Sequence, residues 1–241
     1  MFRGACDQGV AVGCVMAADV LHRPGEVGMD HRPGNIEVDH AEAARLYESA
    51  CRLGTTWACA RAASMHLSYI FFDILRDIQA AKKAQRKAIE LVTAPCEKGD
   101  GESCTVLAEA LIYRNLPEDQ LDFVEARRLV KKACEASWPK ACAYHADLML
   151  RGLGGDRNVT DGVATFERTC AREVPKEGDE VSEYACAALA YLHAGRDGIL
   201  PKTPEAARRF ARRACELYSK RVSTPCPVEP EVEEMLGGVA P

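Results

Sequence analysis

The chain has 241 residues with 31 Lys and Arg against 36 Asp and Glu, a net charge of −5 and a pI near 5.8, so no bulk electrostatic attraction draws it to nucleic acid. Apolar residues make up 47% and aromatics only 6%, a balance that suits closely packed helices and not a sheet. No apolar run approaches the ~20 residues of a membrane span; the longest, Tyr69, Ile70, Phe71 and Phe72 extended by Ile74 and Leu75, is far too short.

Twelve cysteines divide the chain into units. Cys6 and Cys14, Cys51 and Cys59, Cys96 and Cys104, and Cys134 and Cys142 each stand eight apart, while Cys170 with Cys186 and Cys215 with Cys226 are stretched pairs. The first cysteines follow one another at intervals of 45, 45, 38, 36 and 45 residues, a period in the range of helical solenoid repeats. On one continuous helix eight residues rise about 12 Å, beyond the roughly 6.8 Å that a disulfide spans. The helix must therefore break between the two cysteines if they are bonded. Gly54, with the β-branched Thr55 and Thr56, is such a break, ending one helix and capping the next. Each unit reads as an antiparallel helix hairpin stapled across its turn.

Met1 to Cys6 reads as the last turn of a helix whose remainder is missing, followed by a first helix over about Val12 to His22. That helix lacks its covering partner, so a longer natural chain or a bound protein is expected at this end. Counting four residues on from each second cysteine gives Ala18, Ala63, Ala108, Ala146 and Ala190. A residue that small at a fixed site marks a close approach of helix backbones in what we call the A helices. Counting back eight and four from each later first cysteine gives Ala43, Ala88, Ala126, Gly162 and Ala207, and Tyr47, Val92, Val130, Phe166 and Ala211. These offsets form one apolar stripe of helical period on the B helices.

The connections from A to B differ. Residues 23–39 are rich in Gly and Pro and form a loop; the fourth and fifth connections carry Gly turns, then Thr160 or Thr203 as caps, with Pro204 suited to a first helical turn. The second connection has neither Gly nor Pro. Either its two helices extend and pack Ile70, Phe71, Ile74 and Leu75 together, or the segment from Tyr69 to Leu75 is exposed and is the leading partner-binding surface. The basic runs Arg127, Arg128, Lys131, Lys132 and Arg208, Arg209, Arg212, Arg213 fall at helical spacing beside apolar positions and read as solvated faces. Asn158-Val159-Thr160 matches a glycosylation acceptor. Residues 1–226 are expected to form one repeat array, and the acidic, Pro-rich residues 227–241 a tail or a cap held by the last cysteine pair.

A B helix ending in Ala-Cys, a turn, then an Ala-Cys start to the next A helix resembles the Sel-one-like repeats, cousins of the tetratricopeptide repeats. FERTC, KKACEASWPKACAYHADLMLRGLGG and ARRACELY carry the likeness most clearly. The seven residues between paired cysteines are similar to those of the disulfide-stapled subgroup known as the Helicobacter cysteine-rich proteins. The resemblance implies an all-α, right-handed α-solenoid whose concave side, lined by A helices, binds peptides or proteins. It also implies a second reading, since some relatives bind or slowly hydrolyse β-lactams, and another branch assembles respiratory complexes in the mitochondrial intermembrane space.

The residues themselves carry little catalytic chemistry. Ser137-Trp138-Pro139-Lys140 matches the Ser-x-x-Lys string of serine β-lactamases, but it falls in a turn with Pro139 inside it, and neither SDN nor KTG occurs. His145 takes a position that is apolar in the other repeats, and His66 and His193 share another; each is expected to be half-buried and bonded to a backbone carbonyl. No CxxC or CxxxH spacing occurs, so neither a redox pair nor a zinc site is expected, and no cofactor. Twelve pairable cysteines imply an oxidising compartment, periplasmic or extracellular, with the intermembrane space as the alternative and a targeting segment removed or lying upstream. The sequence therefore reads first as a non-enzymatic scaffold for a protein or peptide, and second as a β-lactam-binding or β-lactam-hydrolysing protein.

Overall fold

The structure is a computed structural model that describes residues 2–22, 39–73, 78–112, 121–173 and 180–237; the side chains of residues 67–73, 78–81 and 84 lie outside the description. Among the described residues there are helices and turns and no strand. In chain order the helices are α1 (Phe2–Asp7), α2 (Ala11–His22), α3 (His40–Arg52), α4 (Thr56–Asp73), α5 (Ile78–Glu97) and α6 (Gly101–Leu111), then α7 (Phe123–Glu135), α8 (Pro139–Arg151), α9 (Val159–Ala171), α10 (Glu180–His193), α11 (Pro204–Ser219) and α12 (Val228–Met235). The chain forms two compact units, Met1–Leu129 and Val130–Pro241. Within each, helices adjacent in sequence pack on one another, which is the helix-turn-helix repeat plan of the α-solenoid class.

Four of the hairpin turns share one backbone device that fixes the cysteine spacing. Three residues after the first cysteine the chain enters the left-handed region, at Gly9 (φ 80°), Gly54 (φ 95°), Gly99 (φ 95°) and Ser137 (φ 64°). The amide of that residue donates to the carbonyl of the first cysteine at 2.8–3.0 Å. The next amide, of Val10, Thr55, Asp100 or Trp138, donates to the residue before that cysteine at 3.0–3.1 Å. These paired bonds are a Schellman closure, which satisfies carbonyls that the helix end leaves unpaired. The following helix starts at once, so the second cysteine falls one turn inside it and faces the first. Eight residues are thus the length of one closure plus one turn.

The bonds that result are Cys6–Cys14, Cys51–Cys59, Cys96–Cys104 and Cys134–Cys142, with Cα separations of 4.4–4.7 Å. Cys170–Cys186 holds the same relation at 4.9 Å although its cysteines stand sixteen apart in sequence, and Cys215–Cys226 closes the chain at 5.4 Å. The sulfurs of Cys104, Cys142 and Cys186 each lie 3.4–3.6 Å from their partner's carbonyl oxygen, so the stretched fifth staple keeps the local geometry of the short ones.

Small residues set how closely the helices approach. Ala18, Ala63, Ala108, Ala146 and Ala190 are buried, as are Ala43, Ala88, Ala126 and Ala207, and so are Tyr47, Val92, Val130, Phe166 and Ala211. Gly162 shows why the B stripe stays small: a Cβ there would lie 2.7 Å from Leu150 Cγ and 3.2 Å from the Ala146 carbonyl. Backbone and side chain of α8 already fill that space. Among the described residues of the first unit, Tyr47 is the largest fully buried side chain and its hydroxyl donates to Asp19 of α2, so the one polar atom it carries into the core has a partner.

The cap of α9 differs from expectation. Asn158, not Thr160, is its N-cap: the Asn158 side chain accepts from the Asp161 amide at 3.1 Å, and Thr160 lies inside the helix. Asn precedes the apolar run at the position where its amide oxygen reaches the third helical N–H, and this outweighs the later Thr. Thr203 is the N-cap of α11, with Pro204 in its first turn, but makes no side-chain cap bond. Beyond the last staple, α12 packs on α11 and α10 and buries Val228 and Val232. In the second connection α4 runs to Asp73 and α5 begins at Ile78. The side chains of Tyr69, Ile70, Phe71 and Phe72, and the whole of Ile74 and Leu75, lie outside the described residues.

Candidate functional site

The second unit holds a concavity of about 170 Å³ between α8, α10 and the short turn that follows α10. Its floor is apolar, with Leu150 of α8 and Phe166 of α9 buried beneath it. Its walls are polar, formed by Asp147, Arg151, Tyr184, Tyr191, Arg196 and Asp197. Two A helices therefore supply most of the lining.

Each wall residue is held by a specific contact. Arg151 Nε donates to Asp147 Oδ1 at 2.9 Å, and its Nη2 lies 3.9 Å from Asp197 Oδ2. The bond from Asp147 raises the Arg151 pKa above its ordinary value, so this guanidinium is a fixed charge. Asp197 reaches it from a left-handed backbone (φ 62°), a conformation that costs about 1–2 kcal/mol in a non-glycine residue. The Tyr191 hydroxyl donates to Glu231 of α12 at 2.5 Å. The Arg196 guanidinium lies 4.5 Å over the Tyr191 ring centre, within cation–π range. Tyr184 meets Phe166 edge-on at 6.1 Å yet stays 51% exposed. The result is an apolar floor with one exposed aromatic ring and both signs of charge around the rim.

The volume decides what such a site can hold. Sites for drug-sized molecules occupy about 300–1,000 Å³, so this one suits one or two side chains of a longer ligand. Sequence reasoning missed these residues because they come from two repeats and a connecting turn. They fall into three short stretches, Asp147 with Arg151, Tyr184 with Tyr191, and Arg196 with Asp197, and the first lies more than thirty residues from the others.

The residues singled out for chemistry do not converge. Ser137 is exposed in its turn, and the Lys140 ammonium sits over the Tyr144 ring of its own helix at 5.8 Å. His66 Nε2 lies 2.6 Å from Glu48 Oε1, and the other carboxylate oxygen, Oε2, lies 3.3 Å from Lys87 Nζ. The partner of His66 is thus a carboxylate and not the backbone carbonyl expected, because α3, α4 and α5 bring these side chains to one side. His193 stacks on Phe210 at 5.6 Å, and its Nδ1 has no hydrogen-bond partner among the described residues. His145 is half-buried on α8. Among the described residues no group of three or more His, Cys, Asp or Glu is placed to hold a metal ion, and no helix is long and apolar enough to cross a membrane.

The fold and its staples define a class: a disulfide-stapled helical-repeat protein. Residues 26–55, 102–137 and 183–219 match the Sel1 repeat, and the later two matches run from an A helix through the following B helix. The chain thus carries three Sel1 repeats, and its disulfide pairs fit the cysteine-rich subgroup. It is similar in fold to a Sel1 repeat protein from Oxalobacter formigenes, with a TM-score of 0.59 and 16% identity over 88% of this chain and 74% of that one. It is also similar to c5321, a protective antigen of uropathogenic Escherichia coli strains displaying an SLR fold, with a TM-score of 0.54 and 16% identity over 98% of this chain and 47% of that one. The chain thus spans about half the length of the second relative. No curated protein matches it.

Proposed function

We propose that the chain is a non-enzymatic binding module that takes a peptide segment of another protein into the concavity of its second unit, in an oxidising extracytoplasmic compartment. The observation that carries this reading is the site's shape and chemistry together. The space of about 170 Å³ is below that of sites for drug-sized molecules and accepts a side chain. Tyr184 offers an exposed aromatic face beside it, and Arg196, preorganised on Tyr191, offers donors to a peptide carbonyl or carboxylate. Aromatic and Arg residues of this kind dominate binding energy at protein interfaces. Repeat scaffolds present such surfaces on rigid elements, and six staples make these elements stiff. The disulfides support the compartment, since thiols stay reduced in most cytosols.

The test is a random-peptide selection against the oxidised protein, followed by affinity measurement on the winners. Arg196→Ala and Tyr184→Ser should each weaken the best peptide about tenfold or more, and Arg127→Ala should leave it unchanged. A selection without a consensus, or affinities indifferent to both groove variants, would remove the proposal. Turnover of a chromogenic β-lactam by the intact protein would instead favour the hydrolase reading, which rests on resemblance alone.

A further inference from the structure

His22 is the last residue of α2 and His40 the first of α3. Their Nδ1 atoms face each other at 3.3 Å, with ring centres 5.3 Å apart and planes at 67°. The two rings are brought together by the backbone: the Asp39 amide donates to the Leu21 carbonyl at 3.2 Å, so the end of one helix is tied to the start of the next beside them. Asp39 is itself fixed, its Oδ1 accepting from the Glu42 amide at 2.9 Å as the N-cap of α3.

The separation of the two nitrogens is informative. It is long for an N–H hydrogen bond, the contact the two rings make when one Nδ1 carries a proton. It equals what two imidazoles make when both bind one tetrahedral ion, since metal–nitrogen bonds of about 2.0–2.1 Å at a tetrahedral angle place the nitrogens about 3.3–3.4 Å apart. His22 also ends a helix whose C-terminal carbonyls favour positive charge.

We propose that His22 and His40 form a two-histidine site for a divalent transition-metal ion of the Zn²⁺ or Cu²⁺ class, which clips α2 to α3. Both rings bind through Nδ1 as neutral Nε2–H tautomers, so the proton shared in the metal-free contact moves to the outer nitrogen. Among the described residues no third His, Cys, Asp or Glu joins the pair to hold an ion, so its affinity falls below that of a four-ligand structural zinc centre.

The experiment is Zn²⁺ titration calorimetry on the full oxidised chain and on His22→Ala, His40→Ala and the control His66→Ala, with circular dichroism to establish folding. Cu²⁺ electron paramagnetic resonance of the wild type provides a readout that needs no variant. The expected result is one ion per chain, two imidazole nitrogens in the Cu²⁺ hyperfine pattern, and binding lost in both His22→Ala and His40→Ala but kept in His66→Ala. Zn²⁺ should raise the melting temperature of the wild type and not of those two variants. Binding that survives in either folded variant, or a Cu²⁺ spectrum with one imidazole or none, overturns the proposal.

Discussion

Tyr191 of α10 donates its hydroxyl proton to Glu231 of α12 at 2.5 Å, joining the wall of the candidate groove to the C-terminal helix. Burial and, after it, this bond push the Tyr191 pKa up from 10.0 to about 12. A folded value above the unfolded one means that folding favours the protonated form. The contribution to stability is therefore complete below pH 10.0 and is lost as pH rises through about 12. Phenolate absorbance against pH, compared between the wild type and Tyr191→Phe, should lose a transition near the raised value. A lost transition near the ordinary tyrosine value would show that Tyr191 and Glu231 are apart in solution.

Ser137 is the one non-glycine residue in the left-handed position of the four short staples. Elsewhere Gly9, Gly54 and Gly99 occupy it, with nothing near their missing side chains. A left-handed non-glycine residue costs about 1–2 kcal/mol, and glycine's greater unfolded freedom returns about 0.5–1 kcal/mol of that. Ser137→Gly should therefore stabilise the protein by about 0.5–1 kcal/mol in urea unfolding. The same variant removes the only serine of the Ser-x-x-Lys string, so any β-lactam turnover it retains would owe nothing to that hydroxyl.

The repeat plan was legible because it is written in local spacing. Cysteine pairs eight apart, glycine three after the first cysteine and alanine four after the second all arise within one hairpin, and the structure joins the same pairs. The groove was not legible. Asp147, Tyr191 and Asp197 come from separate elements, and no periodicity links a rim residue to a turn that follows the next A helix. The misplaced cap has a similar cause, since Thr160 and Asn158 are both good capping types and only the backbone decides which one precedes the helix. The partner of His66 depended on packing, because Glu48 lies on a neighbouring helix.

Gly162 tests how tightly the second unit is packed. Its missing side chain would strike Leu150 Cγ at 2.7 Å and the Ala146 carbonyl at 3.2 Å; a Leu terminus can shift, but a helix carbonyl cannot. Ordinary helix propensity favours alanine over glycine by about 0.8–1.0 kcal/mol, so the two effects oppose. Overpacking of this kind typically costs about 1–3 kcal/mol, and the rigid neighbour places Gly162→Ala on the unfavourable side by up to roughly 2 kcal/mol net. A denaturant midpoint equal to or above that of the wild type would mean that α8 and α9 can separate without loss.

His193 makes the second unit sensitive to mild acid. Its ring stacks on Phe210 and leaves Nδ1 buried without a hydrogen-bond partner among the described residues. Burial lowers its pKa below 6.5, while Glu167 pulls the other way and Arg209 assists. The unfolded chain therefore takes up this proton first as pH falls. His193 leaves stability undiminished above pH 6.5 and reduces it progressively below that, until the folded form is protonated too. Urea unfolding at a series of pH values should show this loss in the wild type and a flatter profile in His193→Leu, whose side chain can still pack on Phe210. The imidazole proton resonance of His193 should titrate below the ordinary histidine range in the same experiment. A normal titration, or profiles of equal slope in the two proteins, would mean that the ring reaches water in solution and that the stack on Phe210 does not persist.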